Sequence, residues 1–255
     1  MKKLIYILLL TVMPLAASAQ IPVKAEFSKA LGDTAYIQGR YDDAVRIYET
    51  VLENEGSSAA VYYNLGNAYY RSNMIGKAIL NYERALRLDP TDKDTKANLE
   101  FLLSKTKDEI AEQYEIFFVT WYKAAVNMFG ITAWSIIAII AFITMLVALL
   151  VFFFNGSNAL RKTSLIVAVL SLFVAIFANV AAASIFNNVN DRSEAVVMRE
   201  EAYLKSTPDN SGLELIKVHE GRKVKIVDDT MREWKEVELE DGTVGWLPAV
   251  AIERI

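Results

Sequence analysis

The sequence predicts a multi-domain membrane protein that combines an α-helical repeat domain, a two-helix transmembrane hairpin and a small all-β barrel, in that order. Three observations predict this architecture. Segments of the first half of the chain recur at a spacing of about 34 residues. Two long apolar runs without a charged residue follow. The last part of the chain alternates apolar and polar residues between turn signals.

Residues 1–19 are predicted to be a secretory signal peptide. The chain begins with Met1-Lys2-Lys3, continues with a short apolar run and reaches Ala17-Ser18-Ala19. A basic start, a short apolar core and small residues before the cleavage site are typical of such a peptide. The alternative is an uncleaved anchor helix, but the run is short for a bilayer core of about 30 Å. We therefore expect cleavage after Ala19 and export of the domain that follows.

Residues 20–113 are predicted to form the repeat domain, with repeats at 25–58 and 59–92 and a capping helix at 93–113. The repetition is carried by Leu31-Gly32, which recurs as Leu65-Gly66, by Ala44, which recurs as Ala78, and by Tyr48, which recurs as Tyr82. The second copy resembles the tetratricopeptide repeat signature, in which two helices form a hairpin. Small residues let the two helices approach closely, and the tyrosine fills the space beside them. A capping helix is expected because an end repeat would otherwise expose its apolar face.

This resemblance implies a partner-binding groove on the first helix of each repeat, where members of the family bind peptide segments. The groove positions predicted to bind a partner are Lys29, Tyr36, Tyr63, Asn67, Tyr70 and Arg71. The alternative is that they are ordinary surface and packing residues. Some members clamp the C-terminal carboxylate of a partner with Lys and Asn side chains. Lys29 and Asn64 fall at two clamp positions, but Asp33 replaces a required Asn, so we expect no such clamp.

Residues 131–154 and 165–186 are predicted to be transmembrane helices, because each run is uncharged and long enough to cross a bilayer. The alternative, a buried hairpin in a soluble protein, is disfavoured by two such runs in a chain this small. The connecting loop, residues 155–162, contains Arg161 and Lys162 but no acidic residue. The positive-inside rule places this loop in the cytoplasm and both soluble domains outside.

Residues 194–255 are predicted to form the small β barrel, with Asp241-Gly242 as a strong hairpin signal. The segments Tyr203-x4-Pro208, Trp234-x2-Val237 and Gly245-Trp246-Leu247 resemble a bacterial SH3-like module. Such modules bind peptides, including peptidoglycan stems. The resemblance implies that Trp246 lines a ligand groove, and the alternative is packing in the core or at the rim. His219 precedes a turn and is expected to face the solvent at the end of a strand.

Composition excludes several classes of function. The chain has no cysteine and one histidine, which removes disulfides, thiol catalysis and cysteine-bound metals. It contains no phosphate-binding loop and no nucleophile or zinc-protease motif, so we expect no enzyme activity, no cofactor and no metal site. Both soluble parts hold more Asp and Glu than Lys and Arg. An acidic domain gains nothing from counterion release, so we expect no nucleic-acid partner.

The order of the modules resembles that of BatE-like proteins of the Bacteroides aerotolerance (Bat) family. This resemblance implies a non-enzymatic scaffold in the bacterial inner membrane, with both soluble domains facing the periplasm. It implies other membrane proteins as partners, in particular Bat-type proteins with a von Willebrand factor A domain, besides the lipid bilayer. The alternative function is an envelope sensor, in which the SH3-like domain binds peptidoglycan peptides and the repeats pass the signal to a partner.

Overall fold

The computed structural model describes residues 27–108 and 117–255, so the predicted signal peptide at 1–19 lies outside the described residues. Within the first of these ranges, the repeat domain contains five helices. They are α1 (Lys29–Ile37), α2 (Tyr41–Glu55), α3 (Ala59–Arg71), α4 (Ile75–Leu88) and α5 (Lys93–Leu103). Helices α1 and α2 form the first hairpin, α3 and α4 form the second, and α5 packs against α4.

Glycine and tyrosine bring the two helices of each hairpin together. A Cβ atom at Gly32 would lie 2.4 Å from the ring of Tyr48, and one at Gly66 would lie 2.7 Å from the ring of Tyr82. Both rings are almost completely buried. Any side chain at either glycine would therefore push the helices apart. The close approach expected from the repeated glycine and tyrosine positions is confirmed.

The capping helix is shorter than the predicted span of 93–113. Helix α5 begins after Asp92, whose carboxylate accepts hydrogen bonds from the backbone N–H groups of Asp94 at 3.0 Å and Thr95 at 3.4 Å. It ends at Leu103, and residues 104–108 form turns. Residues 109–113 lie outside the described part of the chain.

From residue 117, where the description resumes, three helices precede the β domain: α6 (Phe117–Val126), α7 (Ile131–Phe154) and α8 (Asn158–Asn190). Helix α7 spans the same residues as the first apolar run. Helix α8 extends beyond the predicted span of 165–186 at both ends, so the loop is only residues 155–157 instead of 155–162. By length and composition alone, α7 and α8 could each cross a membrane.

Helices α7 and α8 pack through alanine and expose their large side chains. Their buried residues include Ala138, Ala141 and Ala148 on α7 and Ala168, Ala175, Ala178 and Ala181 on α8. Ile139 and Phe142 are more than half exposed. Small residues at helix contacts and large apolar residues outside are typical of helices that pack in lipid, where no water drives the large side chains inward.

The β domain is a seven-stranded antiparallel sheet. Its strands are β1 (Glu194–Val197), β2 (Glu201–Lys205), β3 (Glu214–His219), β4 (Lys223–Asp228), β5 (Trp234–Glu238), β6 (Val244–Pro248) and β7 (Ile252–Arg254). The spatial order is β3-β2-β6-β5-β4-β1-β7. Gly242 adopts φ = +83°, as the predicted turn at Asp241-Gly242 requires. The core is aliphatic and includes Leu204, Val218, Val237 and Leu247.

The β domain docks on the outer face of the repeat domain. Val196 and Ile255 belong to the apolar core of the repeat helices, although both lie in the C-terminal part of the chain. Arg87 of α4, only 8% exposed, crosses this interface. Its guanidinium donates to the main-chain oxygen of Ile255 at 2.6 Å and to the Glu194 carboxylate at 3.1 Å. We call this contact region the docked face.

Further charged groups pair across the docked face. The Lys223 ammonium lies 3.2 Å from the Glu83 carboxylate and 3.1 Å from that of Glu194. Burial lowers the pKa of Lys223, but the two carboxylates raise it by more, so its pKa lies above the ordinary value. The side chain therefore remains charged at neutral pH.

The turn after β3 also contacts the repeat domain. The Glu220 carboxylate accepts a hydrogen bond from the backbone N–H of Gly76 at 2.9 Å, so it caps the first turn of α4. The prediction of a solvent-facing His219 is wrong. Its ring nitrogen Nδ1 lies 2.5 Å from the Asp108 carboxylate, and 18% of its side chain is exposed. The contact with Asp108, which lies far away in the sequence, covers most of this histidine.

Candidate partner-binding groove

Residues of helices α1, α2 and α3 line an open pocket of about 270 Å³. Its lining residues are Asp33, Tyr36, Ile37, Tyr48, Asn64 and Asn67. Two of the predicted partner-binding residues, Tyr36 and Asn67, therefore meet in one place. We call this concavity, together with the adjoining surface of α3 and α5, the groove.

Asp33 organises the floor of the groove. Its carboxylate accepts hydrogen bonds from the Lys29 ammonium at 2.8 Å, the Tyr48 hydroxyl at 2.7 Å and the Asn64 side-chain amide at 2.7 Å. Burial raises the pKa of the Asp33 carboxyl, but these donors lower it by more, so its pKa lies below the ordinary value. Asp33 is therefore a carboxylate at neutral pH, and the floor carries a negative charge balanced by Lys29.

This arrangement explains in physical terms why a carboxylate clamp is not expected. The side chains at the two clamp positions, Lys29 and Asn64, both donate to Asp33. The side chain of Asp33 thus occupies the place that a carboxylate of a partner would take. A second carboxylate would have to displace it or lie beside it, and like charges at such a distance repel.

The asparagines of α3 present unused amide groups to the groove. Asn67 accepts hydrogen bonds at Oδ1 from the Tyr82 hydroxyl at 2.7 Å and from Asn98 at 3.1 Å. Within residues 27–108 and 117–255, neither Nδ2 of Asn67 nor Oδ1 of Asn64 has a hydrogen-bond partner. Both residues line the pocket, and a peptide group carries the N–H and C=O that such an acceptor and donor could pair with.

Helix α5 completes the far end of the groove. Tyr63 accepts a hydrogen bond from Asn98 at 3.4 Å, and the ring of Tyr70 meets the ring of Phe101 edge-on at 6.1 Å. Sequence reasoning did not select Asn98 or Phe101. Each lies one repeat length, about 34 residues, after Asn64 or Asn67, so the spacing that identified the repeats could have found them.

The last two predicted site residues lie elsewhere. The Arg71 guanidinium stands 4.5 Å above the ring of Tyr41, at the edge formed by the turns between paired helices. Trp246 lies on β6, directly opposite Lys205 on β2 and Glu236 on β5. It is half-buried on the outer side of the sheet, and no contact in the described part of the chain joins it to the groove.

The comparisons with known proteins concern the repeat domain. A model of the tetratricopeptide repeat family matches residues 29–93, about a quarter of the chain. No curated protein matches the chain. The matched residues begin with α1 and end at the first residue of α5. Tetratricopeptide repeats mediate protein–protein interactions, so the groove lies on the part of the chain where such an interaction is expected. Within the described residues, no cluster of three or more His, Cys, Asp or Glu side chains is placed to hold a metal ion.

Proposed function

We propose that this protein is a non-enzymatic membrane scaffold whose groove binds an extended segment of a partner protein. The observation that carries this proposal is the pocket bounded by Tyr36, Asn64 and Asn67, inside helices that match the tetratricopeptide repeat model. Its unpaired donor and acceptor complement a main-chain peptide group. The ring of Tyr36 and the side chain of Ile37 supply apolar surface beside them.

The chemistry of the groove selects an internal segment of the partner. A chain terminus with a free carboxylate would meet the negative charge of Asp33, whose neighbouring donors are already used. An internal segment presents N–H and C=O groups without a charge. A Lys or Arg side chain on the segment would gain from Asp33, since opposite charges attract most where solvent is partly excluded.

The docking of the two soluble domains supports a membrane arrangement in which both domains lie on the same side. Domains that contact each other lie on the same side of a membrane, and two crossings by α7 and α8 satisfy this condition. Arg161 and Lys162 lie at the opposite end of the helical hairpin, where the positive-inside rule favours the cytoplasm. This supports a bacterial inner-membrane location with both domains in the periplasm, and the module order supports a role in assembling a Bat-type aerotolerance or envelope-stress complex.

A second candidate function is an envelope sensor whose β domain binds peptidoglycan peptides. The observation that favours it is the position of Trp246, half-buried on β6 opposite Lys205 of β2 and Glu236 of β5. An aromatic ring flanked by both charge signs is suited to a short peptide. The two functions place the ligand on different domains, so position-specific capture separates them.

The decisive experiment is photocrosslinking of the full-length protein in its native membranes from two positions. One photoreactive residue replaces Ile37, which lines the groove and is 83% exposed. The other replaces Trp246. We expect the probe at position 37 to capture a segment of another membrane protein, identified by mass spectrometry of the joined peptides. Capture from position 246 alone, by peptidoglycan fragments, would assign the function to the β domain.

A variant whose side chain has the same shape as asparagine tests whether Asn67 binds the ligand of the groove. The substitution Asn67→Asp keeps an oxygen that accepts from Tyr82 but replaces the Nδ2 donor by a second acceptor. We expect it to abolish capture from position 37. Asn54→Asp, on the exposed end of α2, adds the same charge outside the groove and should leave capture unchanged. Equal capture by both variants would refute the proposed role of the groove.

A further inference from the structure

Helix α6 carries an aromatic face that no described part of the chain covers. Phe118 is 77% exposed, Trp121 is 71% exposed and Phe117 is 66% exposed, and Tyr122, 39% exposed, lies at the border with a cleft behind the helix. At about 100° per residue, these four side chains fall within an arc of about 140°. Their rings contact each other, with centroids 5.7 Å apart for Phe117 and Phe118 and 6.2 Å apart for Phe117 and Trp121. Exposed aromatic patches of this kind mark a contact surface in a folded protein.

The other side of α6 is fixed to the helical hairpin. Val126 is only 4% exposed and packs in a cluster with Trp134 of α7 and Ile185 of α8. The indole Nε1 of Trp134 donates a hydrogen bond to the main-chain oxygen of Val126 at 2.8 Å. The aromatic face is therefore held in a defined direction by the same two helices that could cross the membrane.

The aromatic face is followed along the chain by further exposed apolar residues. Met128 and Phe129, between α6 and α7, are exposed, and they lead to the exposed side chains of Ile136 and Ile140 on α7. Exposed apolar side chains are therefore found on α6, in the turn that follows it and on the outer side of α7.

Polar side chains in the cleft between α6 and α8 indicate how deep α6 would lie in a bilayer. A cleft of about 460 Å³ separates α6 from α8, and its lining includes Lys123, Asn127, Asn187, Asn188 and Asp191. These polar side chains begin where the apolar run of α8 ends, just after Phe186. Lipid headgroups and water occupy this level of a bilayer, and tryptophan and tyrosine are enriched there.

We propose that α6 lies along the periplasmic surface of the bilayer with its aromatic face inserted about 5–10 Å among the lipid glycerol and upper acyl groups. This inference rests on the proposed membrane location of α7 and α8, and it names lipid as the partner of a surface outside them. The exposed apolar side chains of the adjoining hairpin and the aromatic composition favour lipid over a second protein. Insertion at this level also orients the repeat domain, because Pro90 of that domain lines the cleft behind α6.

The test is the depth of spin labels on single cysteines, which the cysteine-free chain allows without background. The full-length protein in phosphatidylcholine vesicles carries a nitroxide at Phe118→Cys or, as a matched control on another side of the helix, at Thr120→Cys. Phe142→Cys on the outer surface of α7 reports the bilayer, and Val250→Cys in the β domain reports water. Collision rates with oxygen, which concentrates in lipid, and with a water-soluble nickel chelate give the depth.

The expected result is a several-fold higher ratio of oxygen to nickel collisions at position 118 than at position 120. The depth at position 118 should be shallower than at position 142. If position 118 contacts nickel as freely as position 250, or contacts neither reagent, the aromatic face lies in water or against protein and the inference is overturned. If position 142 also contacts nickel freely, the proposed membrane location fails with it. A lipid signal at position 142 alone overturns the inference and leaves that location standing.

Discussion

The repeat domain has two contact faces, and they differ in whether their polar groups are hydrogen-bonded within the chain. On the docked face, Arg87 is almost completely buried and both ends of its guanidinium have partners in the chain. In the groove, Asn64 and Asn67 are oriented by hydrogen bonds, yet each retains an amide atom without a partner among the described residues. The pairing of Arg87 within the chain stabilises the contact between the two domains. The unused amide atoms in the groove are the ones that would pair with a ligand of the proposed kind.

Helix α4 connects the two faces. Its outer side carries Arg87 and Glu83 to the β domain, and its inner side carries Tyr82, whose hydroxyl donates to Asn67 in the groove. Burial raises the pKa of the Tyr82 hydroxyl, so it remains a donor throughout the neutral range. A shift of α4 on the docked face would therefore move the residue that orients the groove.

The largest expected effect comes from breaking the docked face at Arg87. Arg87→Ala removes a buried cation, leaves the carboxylate of Glu194 and the oxygen of Ile255 with fewer donors and opens a gap beside α4. We expect the free energy of opening of α4 to fall by about 3 kcal/mol. Hydrogen exchange of the α4 amides, followed by mass spectrometry on the full chain in detergent micelles, measures this as an acceleration of roughly two orders of magnitude.

Arg71→Ala provides the matched control for that measurement. Arg71 is exposed and its guanidinium contacts the ring of Tyr41, an interaction worth about 0.5–1 kcal/mol at such a site. We expect hydrogen exchange in α4 to remain close to the unsubstituted protein. Similar acceleration in the two variants would mean that Arg87 on the docked face stabilises α4 no more than the exposed Arg71 does. The proposed difference between the two faces would then be wrong.

The two faces also differ in how far the sequence predicts them. The groove was predictable because its residues recur at the repeat spacing, and the same spacing extends to Asn98 and Phe101. The prediction placed Arg71 in the groove because spacing assigns a helix position and does not show that a side chain turns toward Tyr41. The docked face was not predictable, since its partners are separated by 107, 144 and 168 positions and belong to different domains. His219 is an example. The local pattern predicted that it is exposed, but its ring contacts Asp108, which is distant in the sequence.

A smaller effect is expected at the cap that the β domain supplies to α4. Met74, the residue before α4, makes no capping hydrogen bond with its side chain, and Glu220 accepts from Gly76 instead. Glu220→Ala should cost about 1 kcal/mol, the usual value of a lost cap. Hydrogen exchange should accelerate in the first turn of α4 and little beyond it.

Glu220→Gln serves as the control, because its side-chain oxygen still accepts a hydrogen bond while the charge is lost. We expect it to retain most of the protection that Glu220→Ala loses. If both variants leave the first turn unchanged, the β domain does not stabilise α4 through this contact.

The smallest effect on stability, and the sharpest on selectivity, is expected at Asp33. Asp33→Asn removes the charge that occupies Lys29 and Asn64, both partly exposed, so the free energy of unfolding should change by less than about 1 kcal/mol at neutral pH. Because the pKa of Asp33 lies below its ordinary value of 3.8, the stabilisation from its carboxylate is present above that value and is lost as the pH falls through the folded-state pKa. The difference between the two proteins should therefore shrink in acid, as thermal unfolding at a series of pH values would show.

Peptide binding gives the more informative comparison, because the variant frees the ammonium of Lys29 and the side-chain amide of Asn64 at the clamp positions. Peptides that end in a free carboxylate should bind Asp33→Asn more tightly than the unsubstituted protein, and the same peptides with an amidated end should not, as titration with fluorescent peptides in detergent micelles would measure. Asp43→Asn, in the first turn of α2, removes an equal charge outside the groove and should not change this preference. If the carboxylate preference is the same in all three proteins, Asp33 does not exclude chain termini from the groove. If Asp33→Asn alone gains it, one carboxylate separates a groove for internal segments from a groove for chain ends.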